Sequence, residues 1–344
     1  MFNDTRSARS LRVAAVAVSV AVVAACHAGA SDAVGGGFVT NGGIKLTLVA
    51  YSVPEPGWSK VIPAFNTSAE GKGVQVITSY AASADQSRGV VEGKPADIVN
   101  FSVEPDITRL VKAGKISADW DKGGTSGIPF GSVVTLVVRK GNPKHIADWD
   151  DLLRPGIEVV TPSPLSSGSA KWNLLAPYAA KSGGGRDAAT GIDFISKLVH
   201  EHVRLRPSSG RLATDVFIEG SGDVLISYEN EAIAAERQGR SIEHVTPSQT
   251  FKIENPLAVI ATSPHFDAAV AFKNFQYTAT AQRLWAESGF RPVEPAVADK
   301  FRDIYPVPVK LWTTTDLGGW GVVDRQLFDK SSGSITKVYL EATG

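Results

Sequence analysis

The feature that most constrains this chain is an alternation of β-rich runs with helical stretches, which happens twice. In the first series Ile44 to Tyr51 reads as a strand, Trp58 to Phe65 as a helix and Val74 to Ser79 as a strand. Ser83 to Gln86 then has the Ser-x-x-Gln form of a capping box opening a short helix that stops at Gly93. Asp97 to Val103 resumes as strand and Glu104 to Ala113 as helix. The second series starts at Val133 to Arg139, a buried-type strand. It continues through a short helix at Asp148 to Leu153, a strand at Ile157 to Thr161 and a helix at Ser167 to Lys181 that Pro177 should kink. Gly191 to His202 reads as helix, Gly222 to Tyr228 as strand and Asn230 to Gln238 as helix. Repeated β-α-β order implies mainly parallel sheets covered by helices. Two such series in 344 residues imply two lobes, with Phe251 to Thr262 a strand running back into the first and the tail from Val307 packing on the second.

Open α/β sheets bind ligands beyond the carboxyl ends of their strands, at loops that lead into helices. Ser166-Ser167-Gly168-Ser169 lies in such a loop, so the N–H groups of Gly168 and Ser169 should point out of a first helical turn beside the Ser167 hydroxyl. Ser208-Ser209-Gly210-Arg211 makes a similar loop, and Ser52 ends the first strand. Any one of these reads most simply as an N-cap; their number in one topological position points to an anion.

The N-terminus reads as an export signal over residues 1–25: Arg6, Arg9 and Arg12 precede a run from Val13 to Ala25, apolar apart from Ser19, that is too short to span a bilayer. It ends in Val23-Ala24-Ala25-Cys26, which resembles a bacterial lipobox and marks Cys26, the only cysteine, for lipidation. An ordinary secretory cleavage site is the alternative. Residues 27–43 hold six glycines and few large apolar groups, so 26–43 is expected to be a lipidated cysteine plus a flexible tether, spanning roughly 20–25 Å.

Lys+Arg and Asp+Glu both count 35, so no global field recruits nucleic acid, and any anion site must be local. Enzyme signatures are weak. His200 and His202 are two apart on a helical stretch and point different ways, Glu229 and Glu231 diverge at a strand-to-helix corner, and no phosphate-binding glycine string stands at a strand–helix junction. The two glutamates read as capping groups or partners of a nearby arginine. No metal or cofactor is implied.

Five strings carry a family resemblance: Val138 to Lys144, Asp148 to Leu152, Val160 to Asn173, Gly222 to Ala232 and Phe290-Arg291-Pro292. With them the chain, from about Ile44 onward, resembles the periplasmic sulfate- and thiosulfate-binding proteins of bacterial ABC importers. The resemblance implies an α/β, two-lobe type II periplasmic-binding-protein fold with the ligand in the interlobe cleft. Lobe 1 would be 44–132 with about 247–305, and lobe 2 would be 133–246 with about 306–344. It implies sulfate as ligand, held by the Ser167 hydroxyl and the amides of Gly168, Ser169, Gly210, Ser83 and Ser52, with Arg211 supporting its loop. It also implies permease and ATPase partners.

The sequence departs from the family pattern in three places. Ser52 stands where an aspartate is common, Ser169 where a glycine is usual, and Tyr228 where a tryptophan is usual, trading an indole N–H for a phenolic O–H. Thiosulfate, or molybdate or tungstate, is the alternative ligand; a membrane-anchored hydrolase and a surface interaction module are alternatives of other classes. A full capping box would also send the Gln86 side chain to the Ser83 N–H, the donor assigned to sulfate.

Overall fold

Strand β1 (Ile44–Tyr51) is buried along its second half, as expected of a parallel strand covered on both faces. It sits between β2 (Val74–Ala81) and β3 (Ile98–Asn100), parallel to both, and β10 (Leu257–Val259) closes this four-stranded sheet antiparallel to β3. Helices α1 (Glu55–Asn66), α2 (Ser83–Val91) and α3 (Glu104–Lys112) follow its strands. Prolines in the first turns of α1 and α3 suit positions whose N–H groups have no helical acceptor. The computed structural model describes residues 43–342; the export signal, Cys26 and nearly all of the tether lie outside the described residues.

The second sheet has eight strands built around β4 (Phe130–Arg139), which is buried over nearly its whole length. Its other members are β5 (Val159–Val160), β6 (Val203–Leu205), β7 (Val224–Tyr228), β8 (Ile242–Val245), β9 (Gln249–Glu254), β11 (Arg291–Pro292) and β12 (Lys310–Trp312). Strands β5, β6 and β7 run parallel to one another, and β9 runs parallel to β12; β4 is antiparallel to β7, β8, β9 and β11. The helices here are α4 (Gly168–Ser182), α5 (Ala188–Lys197), α6 (Gly210–Ile218) and α7 (Glu229–Arg237), with α8 (Phe266–Phe275) and α9 (Ala279–Glu287) later in the chain. Helix α4 is buried on almost every side and runs unbroken through Pro177, ending at Gly183 with φ 62°, a left-handed C-cap. Trp172 of α4 packs edge-on against Trp320, with ring centres 4.8 Å apart.

The expected two-body α/β architecture is present, and the chain passes between the sheets at a paired crossing. At the start of β4, Gly131 to Val133 pairs antiparallel with Glu254 to Lys252 of β9. The run Phe251 to Thr262, read above as one strand, is two: β9 lies in the eight-stranded sheet and β10 in the four-stranded one, separated by Asn255-Pro256. Proline has no N–H for the ladder, so the break falls there. Phe130, at the foot of β4, is held in an aromatic cluster with Trp285 of α9 (centres 4.0 Å apart), which in turn meets Trp58 of α1 edge-on at 4.7 Å. This cluster packs the start of β4 against α1 and α9.

Candidate anion site

The loops singled out by sequence meet between the two sheets. Ser83 is the first residue of α2, Gly168 and Ser169 are the first two of α4, and Gly210 is the first of α6. A Cβ built on Gly168 would lie 3.3 Å from Ser83 Cβ, so α2 and α4 start side by side. A Cβ on Gly210 would lie 3.1 Å from Ser169 Cβ and 3.1 Å from Val53 Cγ2, which brings in α6 and the loop after β1. Glycine at both places permits the approach. Three first turns therefore converge with their unpaired N–H groups and positive dipole ends.

Their capping differs. At α6, Ser209 caps in the ordinary way, its Oγ accepting from the Leu212 N–H at 3.2 Å. At α4 the N-cap Ser167 makes no side-chain capping bond, and its hydroxyl, in a residue only 3% exposed, is left for another partner. The capping box expected at Ser83 does not form. The N-cap of α2 is Ala82, and Gln86 Nε2 instead donates to the Ala50 carbonyl at 3.2 Å and the Ser79 carbonyl at 2.8 Å, while Gln86 Oε1 accepts from Lys94 Nζ. Two strand carbonyls draw the amide away, so the Ser83 N–H does not serve Gln86. The Ser83 hydroxyl donates to the buried Asp106 Oδ2 at 2.6 Å and accepts from the Ser102 N–H at 2.9 Å.

Ser52 is half-buried, and its carbonyl accepts from the Glu55 N–H at 3.3 Å. The next residue, Val53, offers its carbonyl to Arg211 Nη2 at 3.1 Å. Arg211 also pairs with Glu231 at 2.9 Å, across a contact where the glutamate side chain is 1% exposed. Burial pushes the Glu231 carboxyl up from its usual range, and Arg211 opposes the shift. Glu229 is gripped by Arg291 through two contacts of 2.7 and 2.8 Å, so both glutamates partner arginines. Tyr228, at the end of β7, is 1% exposed, with Oη 2.8 Å from Ser102 Oγ. Burial holds the hydroxyls of Tyr51 and Tyr228 far above the ordinary phenol range, so both stay protonated. His200 and His202 bond different backbone carbonyls, Ser196 and Ile157, and do not form a pair.

Sequence reading missed Ser102. It follows β3 and precedes α3, the same strand-to-helix position as the other loops, but it was absorbed into a strand drawn as far as Val103. Its carbonyl accepts from Trp172 Nε1 at 2.7 Å and Asn255 Nδ2 at 2.9 Å, and it is fully buried. Beside this centre a cavity of about 360 Å³ reaches Ser167 and Gly168 past Arg88, Arg109 and Lys171. Those three cations are paired with Asp85, Asp106 and Asp324. The site thus offers donors from backbone and hydroxyls, with its full charges a step removed.

A family model described as bacterial extracellular solute-binding protein matches residues 46–291. The chain belongs to that family. Among solute-binding relatives, the sulfate-binding protein of Synechococcus elongatus is 35% identical over 328 residues, covering 92% of this chain and 93% of its own. The sulfate-binding protein of Escherichia coli strain K12 is 34% identical over 298 residues, covering 83% of this chain and 90% of its own. The solved structure of the sulfate-binding protein SubI from Mycobacterium tuberculosis H37Rv is 76% identical. It superposes with a TM-score of 0.82 and covers 83% of this chain and 100% of that one. The two-lobe solute-binding fold expected from sequence is the fold of this chain. Among the described residues, no helix is long and apolar enough to cross a membrane.

Proposed function

We propose that this solute-binding protein captures sulfate outside the cytoplasm and presents it to the permease and ATPase subunits of an ABC importer. The observation that carries the reading is the convergence of the first turns of α2, α4 and α6 on one buried point. Sulfate remains a dianion at physiological pH and only accepts hydrogen bonds, so it requires a shell of donors. The amides of Ser52, Ser83, Gly168, Ser169 and Gly210, with the hydroxyls of Ser167 and Tyr228, are that shell, and Arg211 braces the α6 loop against Val53 and Glu231. Helix dipoles offset part of the cost of burying the charge. The relatives' sulfate-binding names support the ligand class.

Hydrogen phosphate brings a P–OH donor, and leaving it unpaired in a donor shell costs about 1–3 kcal/mol. We expect calorimetric titration to give tight sulfate binding that excess phosphate near neutral pH does not reverse. Equal displacement by phosphate, or preference for thiosulfate or molybdate, would replace sulfate as the ligand. The chain is read as a carrier and not an enzyme; turnover of a chromogenic sulfate ester would overturn that.

The lobes are taken as 44–132 with about 247–305 and 133–246 with about 306–344, hinged where β4 and β9 run side by side. Closure around the anion then gives the permease one combined surface. Lipidation at Cys26, with 27–43 as tether, would hold the protein at the outer face of the cell membrane. A mass spectrum of the mature protein showing an unmodified Cys26 would remove the anchor.

A further inference from the structure

Like the Ser167 hydroxyl, the Tyr228 side chain in this ring presents an acceptor as readily as a donor, because a phenol oxygen keeps its lone pairs while its proton is given away. A free acceptor facing the ligand would welcome the P–OH proton of hydrogen phosphate and erode the discrimination that a donor shell provides. The structure places other side chains on that oxygen: Ser102 Oγ lies 2.8 Å from Tyr228 Oη, and Ser169 and Asn255 also hydrogen-bond to it.

Ser102 is held for this task on every side. Its N–H donates to Ser83 Oγ at 2.9 Å, and its carbonyl takes Trp172 Nε1 at 2.7 Å and Asn255 Nδ2 at 2.9 Å. Ser83 Oγ has in turn given its proton to Asp106 Oδ2 at 2.6 Å, which fixes it as the acceptor for the Ser102 amide. With its backbone pinned and no exposure to water, Ser102 has only its hydroxyl proton left to place.

We propose that Ser102 is a specificity-determining residue acting through Tyr228: its hydroxyl proton occupies the phenol oxygen, so Tyr228 faces the anion as a donor alone. The pair also restores, with two hydroxyls, the donor-only character that an indole has by itself. Ser102 positions Tyr228 and is not itself counted among the groups touching sulfate.

The inference rests on the sulfate reading, and the test separates the two. Affinities for sulfate and for inorganic phosphate are measured by competition calorimetry at neutral pH on the wild-type protein and the Ser102→Ala, Tyr228→Phe and doubly substituted variants. The sulfate-to-phosphate affinity ratio is expected to fall about tenfold in Ser102→Ala, roughly the worth of one recovered hydrogen bond. In the Tyr228→Phe background, where no phenol oxygen remains, the same substitution should leave the ratio unchanged within about twofold. A merely structural role for Ser102 weakens both anions alike in either background. An unchanged ratio in Ser102→Ala, or an equal fall in both backgrounds, overturns the proposal while leaving sulfate as ligand. Absence of sulfate binding by the wild-type protein removes the underlying reading. Because both anions titrate the same folded fraction, partial unfolding does not alter the ratio, and Ser102→Gly serves if the alanine variant does not fold.

Discussion

Replacing Gly168 by alanine is expected to weaken sulfate binding by between about tenfold and a hundredfold while the ligand-free protein keeps its stability. The new methyl would sit 2.7 Å from Ser102 Cβ, 2.9 Å from Ser102 Oγ and 3.3 Å from Ser83 Cβ. These atoms belong to loops of the four-stranded sheet, whereas Gly168 opens a helix packed on the other. On the hinged reading proposed above, the obstacle exists only when the two bodies are together. It cannot be relieved by a flexible side chain, because Ser102 is pinned by its own backbone bonds. Overpacking of this kind costs about 1–3 kcal/mol, which sets the range of lost affinity. Gly168 lacks a positive φ, so alanine suits its helical backbone. Calorimetry reads the affinity and urea unfolding without ligand reads the stability; wild-type affinity in Gly168→Ala would mean that α2 and α4 do not close on the anion as described.

Arg211→Met should lower stability by about 3 kcal/mol, since it strands a buried carboxylate. Glu231 is 2% exposed and has Arg211 2.9 Å away; the same guanidinium holds the Val53 carbonyl at 3.1 Å, so sulfate affinity should fall as well. The loss should depend on pH in a definite sense. Burial already raises the Glu231 pKa, and Arg211 is the charge that opposes it. Without Arg211 the folded state binds a proton that the unfolded chain releases, so the variant loses stability as pH rises through the window between the unfolded and the folded pKa and regains it as pH falls. Urea midpoints at about pH 5 and about pH 8 should show the gap to wild type narrowing at the lower pH. A gap independent of pH would mean that water, not Arg211, compensates Glu231.

What was legible in the sequence was local. The apolar runs of β1 and β4 are buried on both faces and need no partner to be recognised as strands, and the loop 166–169 combines a strand end, serines and a glycine within a few residues. What was hidden depended on distant partners. The two-residue strand β11 exists through its pairing with β4. Gln86 satisfies the sequence rule for a capping box, yet Ala50 and Ser79, brought beside it by β1 and β2, offer better acceptors. The split of β9 from β10 turned on Asn255-Pro256, a signal present in the sequence and overridden by the continuous apolar pattern around it. The arginine partners of Glu229 and Glu231 were foreseen as a type of contact but not by number, because Arg291 is 62 residues away.

The most direct measurement is an anomalous diffraction experiment on crystals grown with selenate, a tetrahedral dianion of the same charge as sulfate. A selenium peak is expected between the first turns of α2, α4 and α6, with its oxygens at hydrogen-bond distance, about 3 Å, from the amides of Ser83, Gly168 and Gly210 and from the Ser167 hydroxyl. A peak elsewhere, such as among Arg88, Arg109 and Lys171 in the adjoining cavity with the helix starts unoccupied, would contradict capture by backbone donors.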